Sequence, residues 1–253
     1  MHLKKKYNTN MYNHINVIEE ANLLLKEDRL DEALKYLKLA KTLFRNSSEI
    51  SYNLGCIYLQ KNEFLSAINE FEEAVKIDNS ITDYNINLVI SYIKMVNILM
   101  SKKNYISSIK YLKKIEKILP KLKKNDLLCE LYMKLASCYQ CLNDVENVRI
   151  NHEKLYKLSK KPSISIGLLC QSKLFCADWK DINNLLKKAS SHLSKGFFSI
   201  TPFTTILTSN NPKIQFLASK NFSNHFFKNQ NIEASIQFKK KNIKPNIKGA
   251  TNE

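Results

Sequence analysis

Glycine and proline are scarce in this chain, with four Gly and five Pro among 253 residues. Loops that cradle phosphates need several glycines in close order, and neither G-x-G-x-x-G nor G-x-x-x-x-G-K-[ST] occurs anywhere. This argues against a nucleotide-binding α/β enzyme, and no cofactor is expected. A chain so poor in breakers suits long helices joined by short turns. A long apolar run is missing too. The most apolar stretch, LVISYIKMVNILM, carries Lys94 and Asn97 and is too short to span a membrane. The first twenty residues, MHLKKKYNTNMYNHINVIEE, start charged but hold no apolar run of signal-peptide length. A cytoplasmic protein is expected from this, with its six Cys as reduced thiols.

Acidic residues are few beside basic ones: 23 Asp and Glu face 40 Lys and Arg, giving a net charge of +17. The excess is uneven. Lys102 to Lys124 holds nine Lys and one Glu, whereas Glu63 to Asp83 is mainly acidic. Such a balance can serve nucleic acid, anionic lipid or an acidic protein. It also accompanies the high Lys, Asn and Ile content that an AT-rich coding sequence produces. Aromatic residues are thin within the basic block, with only Tyr105 and Tyr111, so it reads as a solvated helix face rather than a nucleic-acid surface.

What the chain does contain is a repeat. Ala33, Leu37 and Ala40 recur 34 residues later as Ala67, Phe71 and Ala74, and upstream Ala21 and Leu24 recur as Gly55 and Tyr58. A period of 34 with L-G-x-x-Y, then A-x-x-x-F, then Ala is the pattern of a tetratricopeptide repeat. Each unit is two antiparallel helices, A and B. An interior Gly costs about 1 kcal/mol relative to Ala, so Gly55 is expected to sit where helix A meets helix B closely, opposite Ala67, with Tyr58 and Phe71 filling the gaps. The third unit puts Ser108, Leu112 and Ile115 in the places of Ala67, Phe71 and Ala74. Its spacing from the second is 41 rather than 34 residues, so its A helix, carrying Leu88 and Tyr92, should be longer by two turns. A fourth unit shows Tyr132, Leu135, Ala136 and Tyr139, then Val148, His152 and Leu155.

The expected fold is all-α, a right-handed α-α superhelix of tetratricopeptide repeats with a C-terminal helical extension. Residues 1–13 form an N-terminal extension. Repeats cover 14–160, divided as 14–47, 48–81, 82–121 and 129–160. Helices resume over 163–228, and 229–253 is a basic tail expected to be disordered.

Within the extension, Cys176-Ala177-Asp178-Trp179, then Pro202-Phe203, then the Asn211-Pro212 helix running to Leu217 resemble the linker of SPINDLY-type proteins, relatives of O-linked N-acetylglucosamine transferase. The likeness runs from about Ile15 to Phe227. It departs after Phe227, where that family's two-lobed glycosyltransferase region would follow. In that family, Asn at the sixth position of the A helices holds the backbone of a bound polypeptide. The resemblance thus implies this role for Asn53 and Asn87, 34 residues apart; Glu19 and Lys134 occupy the other sixth positions. A primary amide both donates and accepts, so it can hold a peptide group whatever its side chains.

Asn53 and Asn87, with Tyr52 beside them, form the candidate groove. Glu49 and Asp83 stand one turn earlier, where a clamp for terminal carboxylates would need basic residues, so the groove should favour neutral or basic peptides. The expected function is protein–protein interaction through this concave face, with a polypeptide as partner. The alternative is the substrate-recruiting part of a protein O-glycosyltransferase whose catalytic lobes lie on another chain or are lost, with that catalytic subunit as partner. No catalytic residue is assigned. Cys138-x-x-Cys141 is the single C-x-x-C, and Cys170 and Cys176 have the wrong spacing to complete a zinc site, so no metal is expected. His152 stands where the repeat usually has Phe and is expected to pack with a satisfied ring. The Phe residues between Phe197 and Phe227 are expected to form a terminal core, partly exposed if a further lobe normally covers them.

Overall fold

The computed structural model describes residues 14–160 and 163–227; the expected extension 1–13 and tail 229–253 lie outside them. Five helical hairpins follow one another: α1 (His14–Lys26) with α2 (Leu30–Leu43), α3 (Ser48–Gln60) with α4 (Phe64–Ile77), α5 (Thr82–Ser101) with α6 (Tyr105–Ile118), α7 (Asn125–Cys141) with α8 (Val145–Leu158), and α9 (Ser163–Phe175) with α10 (Ile182–Ser194). The short α11 (Pro202–Thr208) and α12 (Pro212–Phe227) then close the end of the stack. The chain is all-α, and consecutive hairpins pack A helix, B helix, next A helix, as a solenoid requires.

Every hairpin turns in the same way. A residue in the left-handed region follows each A helix: Asp28, Asn62, Lys103, Asn143 and Ala177, with φ between 51° and 59°. The next backbone N–H reaches five residues back: Arg29 to the Leu24 carbonyl, Glu63 to Tyr58, Asn104 to Leu99, Asp144 to Tyr139 and Asp178 to Lys173, at 2.8–3.0 Å. This is a Schellman closure, which satisfies carbonyls that the helix end leaves open. Asn and Asp tolerate this conformation better than other L-residues, so three of the five positions announce the turn. The closure after α9 shows that the hairpin rule continues beyond the residues where the period is readable.

The repeat positions form the core. Ala33, Ala67 and Ser108 are fully buried, and so are Leu37, Phe71 and Leu112 one turn on. At Gly55 the structure differs from the expected contact with Ala67. An added Cβ there would lie 2.6 Å from the Phe71 ring, so the glycine makes room for that aromatic face. The longer third unit is accounted for by α5, which has 20 residues against 13 in α3. Helix α7 starts at Asn125, ahead of the expected boundary at 129.

On the outer side the B helices are tied in succession. Lys41 of α2 bridges Glu70 and Glu73 of α4 at 2.5 and 2.7 Å. Glu72 of α4 meets Lys114 of α6 at 2.7 Å, and Glu116 of α6 meets Lys154 of α8 at the same distance. Partly exposed pairs of this kind contribute at most about 1 kcal/mol each. They do fix which residues of the basic block are engaged, and Lys114 also lies over the Tyr92 and Tyr111 rings.

Candidate functional site

The A helices α3 and α5 touch directly, and the five groove candidates all lie on these two helices. Asn53 and Asn87 are half-buried, one helical repeat apart. The two amides differ in their surroundings. The Asn87 Nδ2 donates to the Tyr52 hydroxyl at 2.8 Å and to the Cys56 Sγ at 3.8 Å, so one end of this amide is fixed by α3 and its Oδ1 is left to accept. The Asn53 amide makes no hydrogen bond among the described residues.

Tyr52 is the hub of this junction. Its ring stacks on Tyr84 at 4.7 Å and tilts against Phe71 at 5.7 Å. Burial pushes its hydroxyl up to about 12, helped by Cys56 and by the negative charge of Asp83. The phenol therefore stays protonated and can accept from Asn87 while donating elsewhere. Burial likewise raises the Cys56 thiol. Glu49 and Asp83 are exposed, and the charge of Glu49 acts on Tyr84 as that of Asp83 acts on Tyr52. The structure thus brings Tyr52, Asn87 and Cys56 into one hydrogen-bonded set, with two carboxylates beside it. Cys56 was not visible as a participant in the sequence, because only the stacking of α5 on α3 brings it within reach of Asn87. At the other sixth positions Glu19 is exposed, while Lys134 bridges Asn97 at 3.4 Å and Glu130 at 3.8 Å.

The cysteines of the C-x-x-C differ in burial. Cys138 is fully buried, with its thiol raised to about 11 by burial, and Cys141 is exposed. A thiol raised in this way is a poor nucleophile at neutral pH. Among the described residues no three His, Cys, Asp or Glu side chains cluster as a metal site would need. No described helix is long and apolar enough to cross a membrane.

His152 departs from the satisfied ring expected of it, since its Nδ1 is buried without a hydrogen-bond partner among the described residues. Burial holds its pKa below the ordinary value of 6.5, against the opposing pull of the Leu168 backbone. An unfolded ring protonates near pH 6.5 while the folded one stays neutral. Unfolding therefore takes up a proton below that pH, and stability falls as pH drops until the folded ring also titrates. Lowered carboxylates such as Glu146 and Asp178 act in the same direction, but only below about pH 4.5. Replacing His152 with Phe should remove the upper component. Denaturant titrations at pH 7.5 and 5.5 should show the stability gap between variant and wild type widening at the lower pH; a constant gap would contradict the neutral buried ring.

The motifs of the extension have local structural roles. Ala177 carries the left-handed turn, and Asp178 ion-pairs with Lys173 while accepting from the Lys180 N–H at 3.1 Å. Trp179 is 66% exposed. Thr201 caps α11 ahead of Pro202, and the Asn211 Oδ1 accepts from the Lys213 N–H at 3.0 Å at the start of α12. Of the Phe residues there, Phe198 packs against Phe222, His225 and Phe226, whereas Phe197, Phe203 and Phe216 are largely exposed.

Residues 48–81, the unit that holds Tyr52 and Asn53, match the tetratricopeptide repeat family. Curated proteins give no match to the sequence. Among solved structures the chain is similar to YrrB, described as a tetratricopeptide protein with an unusual peptide-binding site. That likeness has 15% identity and a TM-score of 0.40, over 82% of this chain and 92% of that one. It is similar also to MamA, from residue 41 to its end, of Desulfovibrio magneticus RS-1. Here the identity is 16% and the TM-score 0.39, over 72% of this chain and 96% of that one.

Proposed function

We propose that the chain is a protein-interaction module that holds an extended polypeptide along the inner face of α3 and α5. The observation that carries this reading is the pair of amides 34 residues apart. Asn87 is oriented by Tyr52 and Cys56 with its carbonyl oxygen unspent, and Asn53 has no partner among the described residues. Backbone groups of a bound strand need both donors and acceptors, and the two amides supply them without regard to side chain. Glu49 and Asp83 flank the amides and Tyr52, so the preferred occupant is a neutral or basic segment.

Changing both Asn53 and Asn87 to Ala should weaken binding of a natural partner while leaving helicity intact. Each lost neutral hydrogen bond is worth about 0.5–1.5 kcal/mol, so the double variant should bind about 5- to 150-fold more weakly. The measurement is calorimetry with a partner captured by the wild-type chain. Equal affinity of the two proteins would remove the groove from the account. Changing Glu49 and Asp83 to Gln and Asn in the same assay should lower affinity for a lysine-containing segment and flatten its salt dependence.

A further inference from the structure

In the first three units the position that locks helix A to helix B is apolar and closed: Leu37, Phe71 and Leu112 are each at most 1% exposed. The fourth unit has His152 there, half-buried, with its Nδ1 inaccessible and without a partner among the described residues. Beside it lies a cavity of about 310 Å³ between α7, α8 and α9. This volume falls at the lower end of the roughly 300–1,000 Å³ that holds small ligands.

The lining has a definite chemistry. Val145, Val148, Leu168 and Phe175 give apolar walls, and Phe175 is 61% exposed at the rim. Gln140, Asn143, Gln171 and Ser172 add amides and a hydroxyl. Among the described residues no Lys, Arg, Asp or Glu contributes to it, although the chain carries 63 such residues. A charged ligand would find no counter-ion there, and a purely apolar one would leave the imidazole unsatisfied. The Leu168 backbone group lies near enough to the ring to oppose the lowering of its pKa by burial. In the neutral ring with its proton on Nε2, Nδ1 is an acceptor, and it has no partner among the described residues. The mouth of the cavity is fixed rather than free. The Cys176 thiol donates to the Val145 carbonyl at 3.3 Å, and Arg149 of α8 meets Asp178 beyond α9 at 3.5 Å.

We propose that this cavity binds a neutral aromatic group bearing one hydrogen-bond donor, of the phenol or indole class, with the donor directed at His152 Nδ1 and the ring against Phe175 and Val148. A small turn about χ2, which is soft for imidazole, brings Nδ1 to the cavity wall. The site is separate from the α3–α5 groove and stands or falls independently of it. The group can reach the cavity as a free small molecule or as a Tyr or Trp side chain of a polypeptide.

The test uses the full chain labelled with 15N in its histidines, titrated with p-cresol, with 3-methylindole and with toluene, which has the shape but no donor. A saturable shift of the His152 Nδ1 resonance with p-cresol or 3-methylindole is expected, at least tenfold tighter than any shift with toluene. His152→Phe restores the closed keystone of the other units, should melt higher than wild type, and should lose the binding. Gln171→Ala, on the rim, keeps the core intact and should weaken binding a few-fold, which covers the case in which the Phe variant fails to fold. Peptides with a single Tyr between Gly and Ser separate the sources: tighter binding than p-cresol assigns the site to a polypeptide side chain, and weaker binding assigns it to a free compound. The proposal is overturned by the absence of saturable shifts, by toluene binding as well as p-cresol, or by unchanged binding in both variants.

Discussion

Gly167→Ala is expected to unfold the C-terminal helices while leaving the first three hairpins in place. On an exposed helix this substitution would stabilise by about 1 kcal/mol. Here a Cβ on residue 167 would lie 1.7 Å from the backbone oxygen of Ser199 and 3.2 Å from the Cα of Ile200. The obstacle is main chain, and it has nowhere to go. The Ser199 Oγ donates to the Ala189 carbonyl of α10 at 2.7 Å, Ile200 is buried in the C-terminal core, and Thr201 caps α11. On the other side the Asn221 amide bonds the Leu193 and Phe197 carbonyls at 2.9 and 3.2 Å, tying the strap to α12. Overpacking of side chains costs about 1–3 kcal/mol, and a clash with a strap held at both ends should cost about 3 kcal/mol or more. The core that joins α9, α10 and α12 is distinct from the one spanning α4 to α8, and a solenoid loses its units locally. Hydrogen exchange should therefore show lost protection in residues 163–227 with α3 to α6 unchanged. Full protection in the variant would mean that the strap does not cross α9 at this point.

The contrast between the two helical glycines shows how much was readable beforehand. Gly55 has its contact, Phe71, within its own repeat at a spacing the period dictates, so its role followed from the alignment even though the contacting group was expected to be Ala67. Gly167 meets Ser199 in a segment that belongs to no repeat, and nothing in the spacing pairs them. The same distinction separates the site residues. Asn53 and Asn87 were named from the resemblance, as the sixth residues of two A helices, and α5 was expected to be long from the spacing of Ala67 and Ser108. Cys56 joins Asn87 only through the superhelical stacking of α5 on α3. The His152 cavity could have been suspected, because a polar ring in a place held elsewhere by Leu37, Phe71 and Leu112 is a local conflict of the kind that marks strain or function. A satisfied ring was nevertheless the expectation. The repeated Schellman turn had a signal too, in Asp28, Asn62 and Asn143, but Lys103 and Ala177 obscured it.

Gly55→Leu should be a strongly damaging change within the repeats, and its partner identifies the cause. A Cβ at position 55 already falls 2.6–2.9 Å from three carbons of the Phe71 ring, which is fully buried. The ring lies in the core spanning α4 to α8, while Leu54 and Ile57 on either side of Gly55 belong to the core of α1 to α3. A bulky residue there would wedge these cores apart at their seam, at a cost of about 1–3 kcal/mol. The first unit has a different pair at the equivalent positions: Ala21 and Leu37 are both fully buried and belong to one core. Gly55→Ala combined with Phe71→Leu would transplant that pair into the second unit. Gly55→Ala alone should destabilise in spite of its helix propensity, and Phe71→Leu alone should destabilise through lost burial, by about 1 kcal/mol. Together they should cost less than the sum of the two, with a coupling of about 1 kcal/mol or more, within the range that contacting residues show. Denaturant unfolding of the four proteins measures that cycle. Strict additivity would mean that Gly55 and Phe71 do not touch, and the repeat register would then have to be redrawn.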